Sequence, residues 1–116
     1  MTSVQRRRWE RVRKALDVII TARDGATSHG RTQDLCEGGL GIVSAGPLVV
    51  GADYGFTIAE IAPTPLAGAV RWSTPRQSQG DYLIGVEFTS LTRSQTAALA
   101  DRLADWKAQD AGADDV

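Results

Sequence analysis

The sequence predicts a mainly β domain, a small six-stranded antiparallel barrel or sandwich with one C-terminal α-helix packed on it. Short apolar stretches recur along the chain, and Gly and Pro separate them at close intervals. Only near the C-terminus does the apolar period change from that of a strand to that of a helix. A chain of 116 residues has the length of one domain, which buries enough surface to fold without disulfides.

The strands are predicted from alternation and from the turn residues between them. In the first strand, Leu16, Val18 and Ile20 alternate with mostly polar residues, which is the period-two pattern of a half-buried strand. The six predicted strands are Ala15–Arg23, Thr32–Leu35, Leu40–Ser44, Tyr54–Ile61, Leu66–Ser73 and Tyr82–Phe88. The loops predicted between them are Asp24–Gly30, Glu37–Gly39, Ala45–Asp53, Pro63–Pro65 and Thr74–Asp81. The strand content favours a small antiparallel barrel or sandwich.

The C-terminal helix is predicted to begin at a capping box, in which Gln95 follows Thr92 by three positions. Leu99, Leu103 and Trp106 then recur on one helical face, which we expect to pack on the barrel. The helix is predicted to end near Gln109. Residues 110–116 are rich in Asp, Ala and Gly, and we expect them to form a disordered tail.

Charge is concentrated at the N-terminus. Residues 1–14 carry a net charge of +5, whereas the whole chain carries −1. We therefore divide the chain into a basic arm, 1–14, and a barrel with its helix, 15–109. The segregation indicates a localised anionic partner, although a solvated arm would give the same composition. Five of the six basic residues are Arg, whose planar fork suits phosphate and guanine edges better than an ammonium group does.

The composition argues against several other classes of protein. The single Cys excludes an internal disulfide and fits a reducing compartment. No apolar run reaches the length of a membrane span, and the N-terminus lacks the pattern of a signal peptide. The sequence therefore predicts a soluble, cytoplasmic protein without membrane insertion.

Catalytic and metal sites are not predicted. One His and one Cys cannot form a His/Cys metal cluster, so we expect no metal. His29 and Cys36 could form a nucleophile and base pair, but no orienting third group or oxyanion site is evident nearby. Gly39 and Gly41 do not continue into a dinucleotide fingerprint, and no phosphate-loop Lys follows them. We expect no enzyme and no cofactor.

Two short motifs flank the first predicted strand. Residues 7–11 fit R-x-x-x-R, and Asp34–Gly39 nearly fits D/N-x-S-x-x-G. Two further motifs follow in order, G-x-V-x-W at Gly68–Trp72 and G-V-x-F at Gly85–Phe88. Together with the closing helix, this order resembles the PilZ domain, the bacterial receptor for cyclic di-GMP. The resemblance covers most of the chain and implies a six-stranded barrel that binds its ligand on the outer surface.

The resemblance also implies a set of binding residues, and their chemistry suits a guanine dinucleotide. An Arg fork matches phosphate and the N7 and O6 acceptors of guanine, and a carboxylate can accept from its N1–H and N2–H₂ donors. The residues implied to bind cyclic di-GMP are Arg7, Arg8, Arg11, Asp34, Cys36 and Gly39, with secondary contacts from Arg6, Gly38 and Trp72. Trp72 either lines the site or belongs to the core. Cys36 stands where the family usually has Ser, and the weaker hydrogen bond of a thiol would lower affinity about fivefold.

The implied function is that of a receptor or adaptor that changes conformation when cyclic di-GMP binds. Its signal would pass to an unidentified partner protein that controls motility, exopolysaccharide synthesis or chemotaxis. Two alternatives stay open: a PilZ-like interaction module that does not bind nucleotide, which Cys36 supports, and a small barrel that binds nucleic acid through the arm. The last is disfavoured because the strands lack an array of exposed aromatic residues and the chain outside the arm is acidic.

Overall fold

The structure, a computed structural model, describes residues 11–114, with side chains for residues 11–109. This part of the chain forms seven strands and one helix. The strands are β1 (Val12–Arg13), β2 (Asp17–Thr21), β3 (Thr27–Cys36), β4 (Gly39–Ser44), β5 (Asp53–Thr57), β6 (Leu66–Arg76) and β7 (Asp81–Ser90). The helix is α1 (Arg93–Asp114).

Six of the strands close into an antiparallel barrel. Around the barrel the order is β3, β2, β5, β6, β7 and β4, and β4 pairs with β3 again. The predicted barrel with a C-terminal helix is confirmed. The interior is filled by apolar side chains that are almost fully buried, among them Val18, Ile20, Leu40, Ile42, Phe56, Leu66 and Ile84.

The seventh strand, β1, was not predicted. It pairs with the C-terminal end of β3, placing Val12 opposite Leu35 and Arg13 opposite Asp34. Sequence analysis assigned these residues to the basic arm, because a strand of two residues is too short to show a period. The end of the arm is therefore part of the sheet.

Several strand boundaries differ from the predicted ones. β3 begins at Thr27, within the predicted loop Asp24–Gly30, because this end of the strand is polar and exposed and its pattern is that of a loop. β6 and β7 extend past the predicted ends into a long hairpin. β5 ends at Thr57 instead of Ile61, since the chain turns there and the carbonyl oxygen of Ile58 accepts hydrogen bonds from the next turn.

α1 packs on the barrel through the predicted face. Leu99, Leu103 and Trp106 are buried, and the cationic groups of Lys14 and Arg102 lie 5.7 and 5.4 Å from the centroid of the Trp106 ring. The helix continues to Asp114, five residues beyond its predicted end, where the sequence suggested a disordered tail. Alanines favour the helical conformation, and a single Gly costs only about 1 kcal/mol without ending a helix. Residues 115–116 lie outside the described part of the chain.

The predicted capping box is confirmed and has a further role. Thr92 N donates to Gln95 Oε1, and Gln95 N donates to Thr92 Oγ1, each over 3.0 Å. The amide nitrogen of Gln95, Nε2, also donates to Thr64 Oγ1 and to the carbonyl oxygen of Pro65, each over 2.9 Å. Gln95 thus caps the helix and ties its N-terminus to the segment before β6.

Replacing Gln95 with Glu tests this double role. The carboxylate keeps the capping acceptor, but it cannot donate and it faces the carbonyl oxygen of Pro65. We expect the free energy of unfolding to fall by about 1–2 kcal/mol, measured by urea denaturation. Gln79→Glu, at an exposed turn, is the matched control. An unchanged urea midpoint for Gln95→Glu would contradict the tie to Pro65.

Candidate ligand-binding site

Arg11, directly before β1, and Asp34, on β3, form an ion pair across these two paired strands. Arg11 Nη1 lies 2.7 Å from Asp34 Oδ1. Because β1 pairs with the C-terminal end of β3, the residue just before β1 reaches the carboxylate from 23 positions away in the sequence. The arginine motif and the glycine-containing motif therefore meet at these two residues.

Asp34 is held in place by the neighbouring strand. Its Oδ1 also accepts a hydrogen bond from Gly41 N over 3.1 Å. The register of β3 against β4 shifts between Thr32 and Asp34, and such bulges change the direction of the side chains beside them. A Cβ at Gly41 would lie only 2.8 Å from Oδ1, so the absence of a side chain there makes room for the carboxylate.

A depression of about 460 Å³ lies beside this ion pair on the outer surface of the barrel. Its lining combines β-strand residues with the end of the arm: Arg11, Cys36, Gly38, Gly39, Arg71, Trp72, Gly85, Val86 and Glu87. Five of the implied binding residues are brought together here, namely Arg11, Cys36, Gly38, Gly39 and Trp72. Asp34 is joined to the depression through Arg11. The implied residues Arg6, Arg7 and Arg8 lie outside the described part of the chain.

Trp72 lines the depression and does not belong to the core. Its side chain is 47% exposed. A Cβ at Gly85, on the neighbouring strand β7, would collide with the indole ring, so the ring lies directly over that glycine. The remaining indole surface is a flat apolar area on which a planar base could stack.

Cys36 and Gly39 form a closely packed part of the lining. The Cys36 side chain is only 4% exposed, consistent with its small size and apolar character. At Gly39 the backbones of β4 and β7 approach so closely that a Cβ would collide with the carbonyl oxygen of Val86. Gly39 is required by this approach of two backbones, whereas sequence analysis considered it a turn glycine.

Sequence analysis missed two charged residues in the lining, Arg71 and Glu87. Arg71 Nε donates to Glu87 Oε1 over 2.6 Å, and both side chains are more than half exposed. They occupy variable positions of the third and fourth motifs, so the motifs gave no reason to select them. Their meeting depends on the register between β6 and β7.

A larger depression, of about 690 Å³, lies elsewhere on the barrel and contains none of the implied binding residues. In it, Arg76 donates two hydrogen bonds to Asp81, over 2.8 and 2.9 Å. These bonds lower the pKa of Asp81 and raise that of Arg76. Arg31 lies in the same depression and is 3.9 Å from Asp17. Size alone favours this depression, but the residues of the motifs meet in the smaller one.

Two features are absent from residues 11–114. No group of three His, Cys, Asp or Glu side chains there is arranged to hold a metal ion. The helix in this part of the chain does not have an apolar stretch long enough to cross a membrane.

The described residues thus form a closed antiparallel β-barrel domain with an arginine–aspartate pair beside an outer depression. The model of the PilZ domain family matches residues 5–105, and the chain belongs to this family. No curated protein matches the chain.

Solved structures share the fold at low sequence identity. The PilZ domain of Escherichia coli YcgR with c-di-GMP is 18% identical, with a TM-score of 0.74, and the match covers 97% of this chain and 100% of that one. The K. pneumonia MrkH–c-di-GMP complex is 18% identical in sequence, with a TM-score of 0.74, and the match covers 90% of this chain and 54% of that one. The Bacillus subtilis inhibitor of motility, MotI/DgrA, is also 18% identical, with a TM-score of 0.74, and the match covers 90% of this chain and 53% of that one. The chain thus spans about half the length of the latter two proteins.

Proposed function

We propose that this protein is a receptor for cyclic di-GMP. The observation that carries the proposal is the ion pair between Arg11 and Asp34 at the edge of the depression lined by Gly39 and Trp72. Family membership and the cyclic di-GMP complexes of similar structures support the same ligand.

The described groups complement a guanine dinucleotide. Arg11 offers N–H donors to a phosphate or to guanine N7 and O6. Asp34 uses Oδ1 for Arg11 and Gly41, and no described residue donates to its Oδ2, which can accept from the donor edge of guanine. Trp72 offers an exposed face for stacking. Arg7 and Arg8, outside the described residues, are proposed as further phosphate contacts, with Arg6 and Gly38 as secondary ones.

Signalling would follow from a ligand that contacts both the basic arm and the barrel. The end of the arm forms β1, which pairs with β3, so a ligand that binds both arm and depression changes the surface presented there. A cytoplasmic partner protein would recognise the altered surface, in the control of motility, exopolysaccharide synthesis or chemotaxis.

Isothermal titration calorimetry of the purified chain with cyclic di-GMP tests the proposal. We expect binding with a Kd in the micromolar range or tighter. The measured stoichiometry distinguishes one bound ligand from an intercalated pair. GMP, which has one phosphate and one base, is the control ligand and should bind much more weakly. The absence of any binding heat with cyclic di-GMP over a range of temperatures would refute the receptor function.

Cys36 favours a second function, that of an interaction module that has lost nucleotide binding. We expect Cys36→Ser to tighten cyclic di-GMP binding about fivefold, because a hydroxyl is a stronger hydrogen-bond donor than a thiol. Cys36→Ala is the matched control, since it removes the thiol without adding a hydroxyl. Calorimetry of the three proteins separates the functions: binding that appears only in Cys36→Ser identifies a lost receptor, and equal affinities show that position 36 does not contact the ligand.

Nucleic-acid binding has less support. Among the described aromatic side chains, only Trp72 is exposed, so the barrel offers no series of stacking platforms for successive bases. The described charges also include many exposed carboxylates.

A further inference from the structure

The depression contains a cation that belongs to neither of the two main motifs. Arg71 lies on β6 directly before Trp72, and both side chains are exposed. In a regular strand, two successive side chains point to opposite faces, so one of them would enter the core.

A β-bulge accounts for this arrangement. Val70 pairs with Val86 and Trp72 with Gly85, so two steps along β6 correspond to one step along β7, and Arg71 is the extra residue. Bulges of this kind redirect side chains and occur frequently beside functional sites. Here the bulge brings a guanidinium and an indole to the same outer depression.

Glu87 neutralises this cation. Its Oε1 accepts from Arg71 Nε over 2.6 Å, and on the barrel Glu87 lies opposite Gly39. Among the described side chains, no other group bonds to the guanidinium of Arg71, so its two Nη groups keep their four N–H donors for a ligand. Arg11 is likewise neutralised by Asp34. Each described cation of the depression thus has a carboxylate partner.

We propose that Arg71 binds an anionic group of the ligand and that Glu87 is a counter-ion that competes with this group for Arg71. The inference rests on the proposed function and deepens it, because cyclic di-GMP carries two phosphodiester charges. A half-exposed ion pair contributes little to stability, so exchanging the carboxylate for a phosphate costs the fold little. Glu87 thereby sets how strongly the site attracts a dianion.

Calorimetry of Arg71→Gln, Glu87→Gln and the double variant with cyclic di-GMP tests the inference. We expect Arg71→Gln to weaken binding about fivefold and Glu87→Gln to tighten it about threefold at low salt. In the Arg71→Gln background, Glu87→Gln should change affinity less than twofold, because the competition no longer exists. The matched controls are Arg31→Gln and Asp17→Asn, which change the same charges in the other depression.

Each outcome bears on a different proposal. If the unmodified protein does not bind cyclic di-GMP, the proposed function fails. If it binds but Arg71→Gln binds equally well, only the role of Arg71 is refuted. If Glu87→Gln weakens binding, Glu87 is not a competitor and the inference is wrong. Equal effects of the controls would show that net charge alone is responsible. Circular dichroism melting curves establish that the exposed substitutions leave the barrel folded.

Discussion

Replacing Arg11 with Ala is expected to weaken cyclic di-GMP binding at least tenfold while the barrel stays folded. A hydrogen-bonded charge contact to a phosphate or guanine contributes about 1.5–3 kcal/mol, which corresponds to a factor of about ten or more in Kd. The stability cost is much smaller, because the Arg11 side chain is 55% exposed and exposed ion pairs contribute about 1 kcal/mol or less. Calorimetry gives the affinity and urea denaturation gives the stability.

Arg31→Ala is the matched control for Arg11→Ala. It removes the same charge from a comparably exposed side chain that lies in the other depression, so we expect its Kd to stay within twofold of the unmodified value. A similar loss in both variants would mean that Arg11 acts only through the net charge of the chain. If Arg11→Ala binds normally, the arm does not contact the ligand at this position, and the Arg11–Asp34 pair is purely structural.

The sequence predicted those parts of the structure in which a local pattern reflects burial. β2 alternates because one face of it is buried, and α1 shows a helical stripe because Leu99 and Leu103 pack on the barrel. β3 was predicted too short because residues 27–31 are polar and mostly exposed, and such residues have the composition of a loop.

Sequence analysis identified the site residues that define a motif. It did not identify those whose position depends on the register between two strands. Arg11 and Asp34 were expected to converge because their motifs flank one strand, and they form an ion pair. Arg71 and Glu87 were not predicted, because a bulge brings them together and neither residue has a distinctive local pattern. A bulge adds one residue to one strand of a pair, so it cannot be located before the pairing is known.

Replacing Gly39 with Ala is expected to lower the free energy of unfolding by about 3 kcal/mol, the upper end for overpacking a closely packed site. The new Cβ would collide with the carbonyl oxygen of Val86, which is backbone and cannot rotate away as a side chain can. The two strands must separate instead, which disrupts the pairing of β4 with β7 in the closed barrel. Urea denaturation followed by circular dichroism measures the loss.

Gly46→Ala is the control for Gly39→Ala, because a Cβ at Gly46 meets nothing within 4 Å and the residue needs no left-handed backbone conformation. We expect its urea midpoint to be unchanged or slightly raised, since Ala restricts the unfolded chain more than Gly does. Equal midpoints for the two variants would contradict the close approach of β4 and β7. The pair of variants thereby separates the close approach of two backbones at Gly39 from a general effect of adding a methyl group to a glycine.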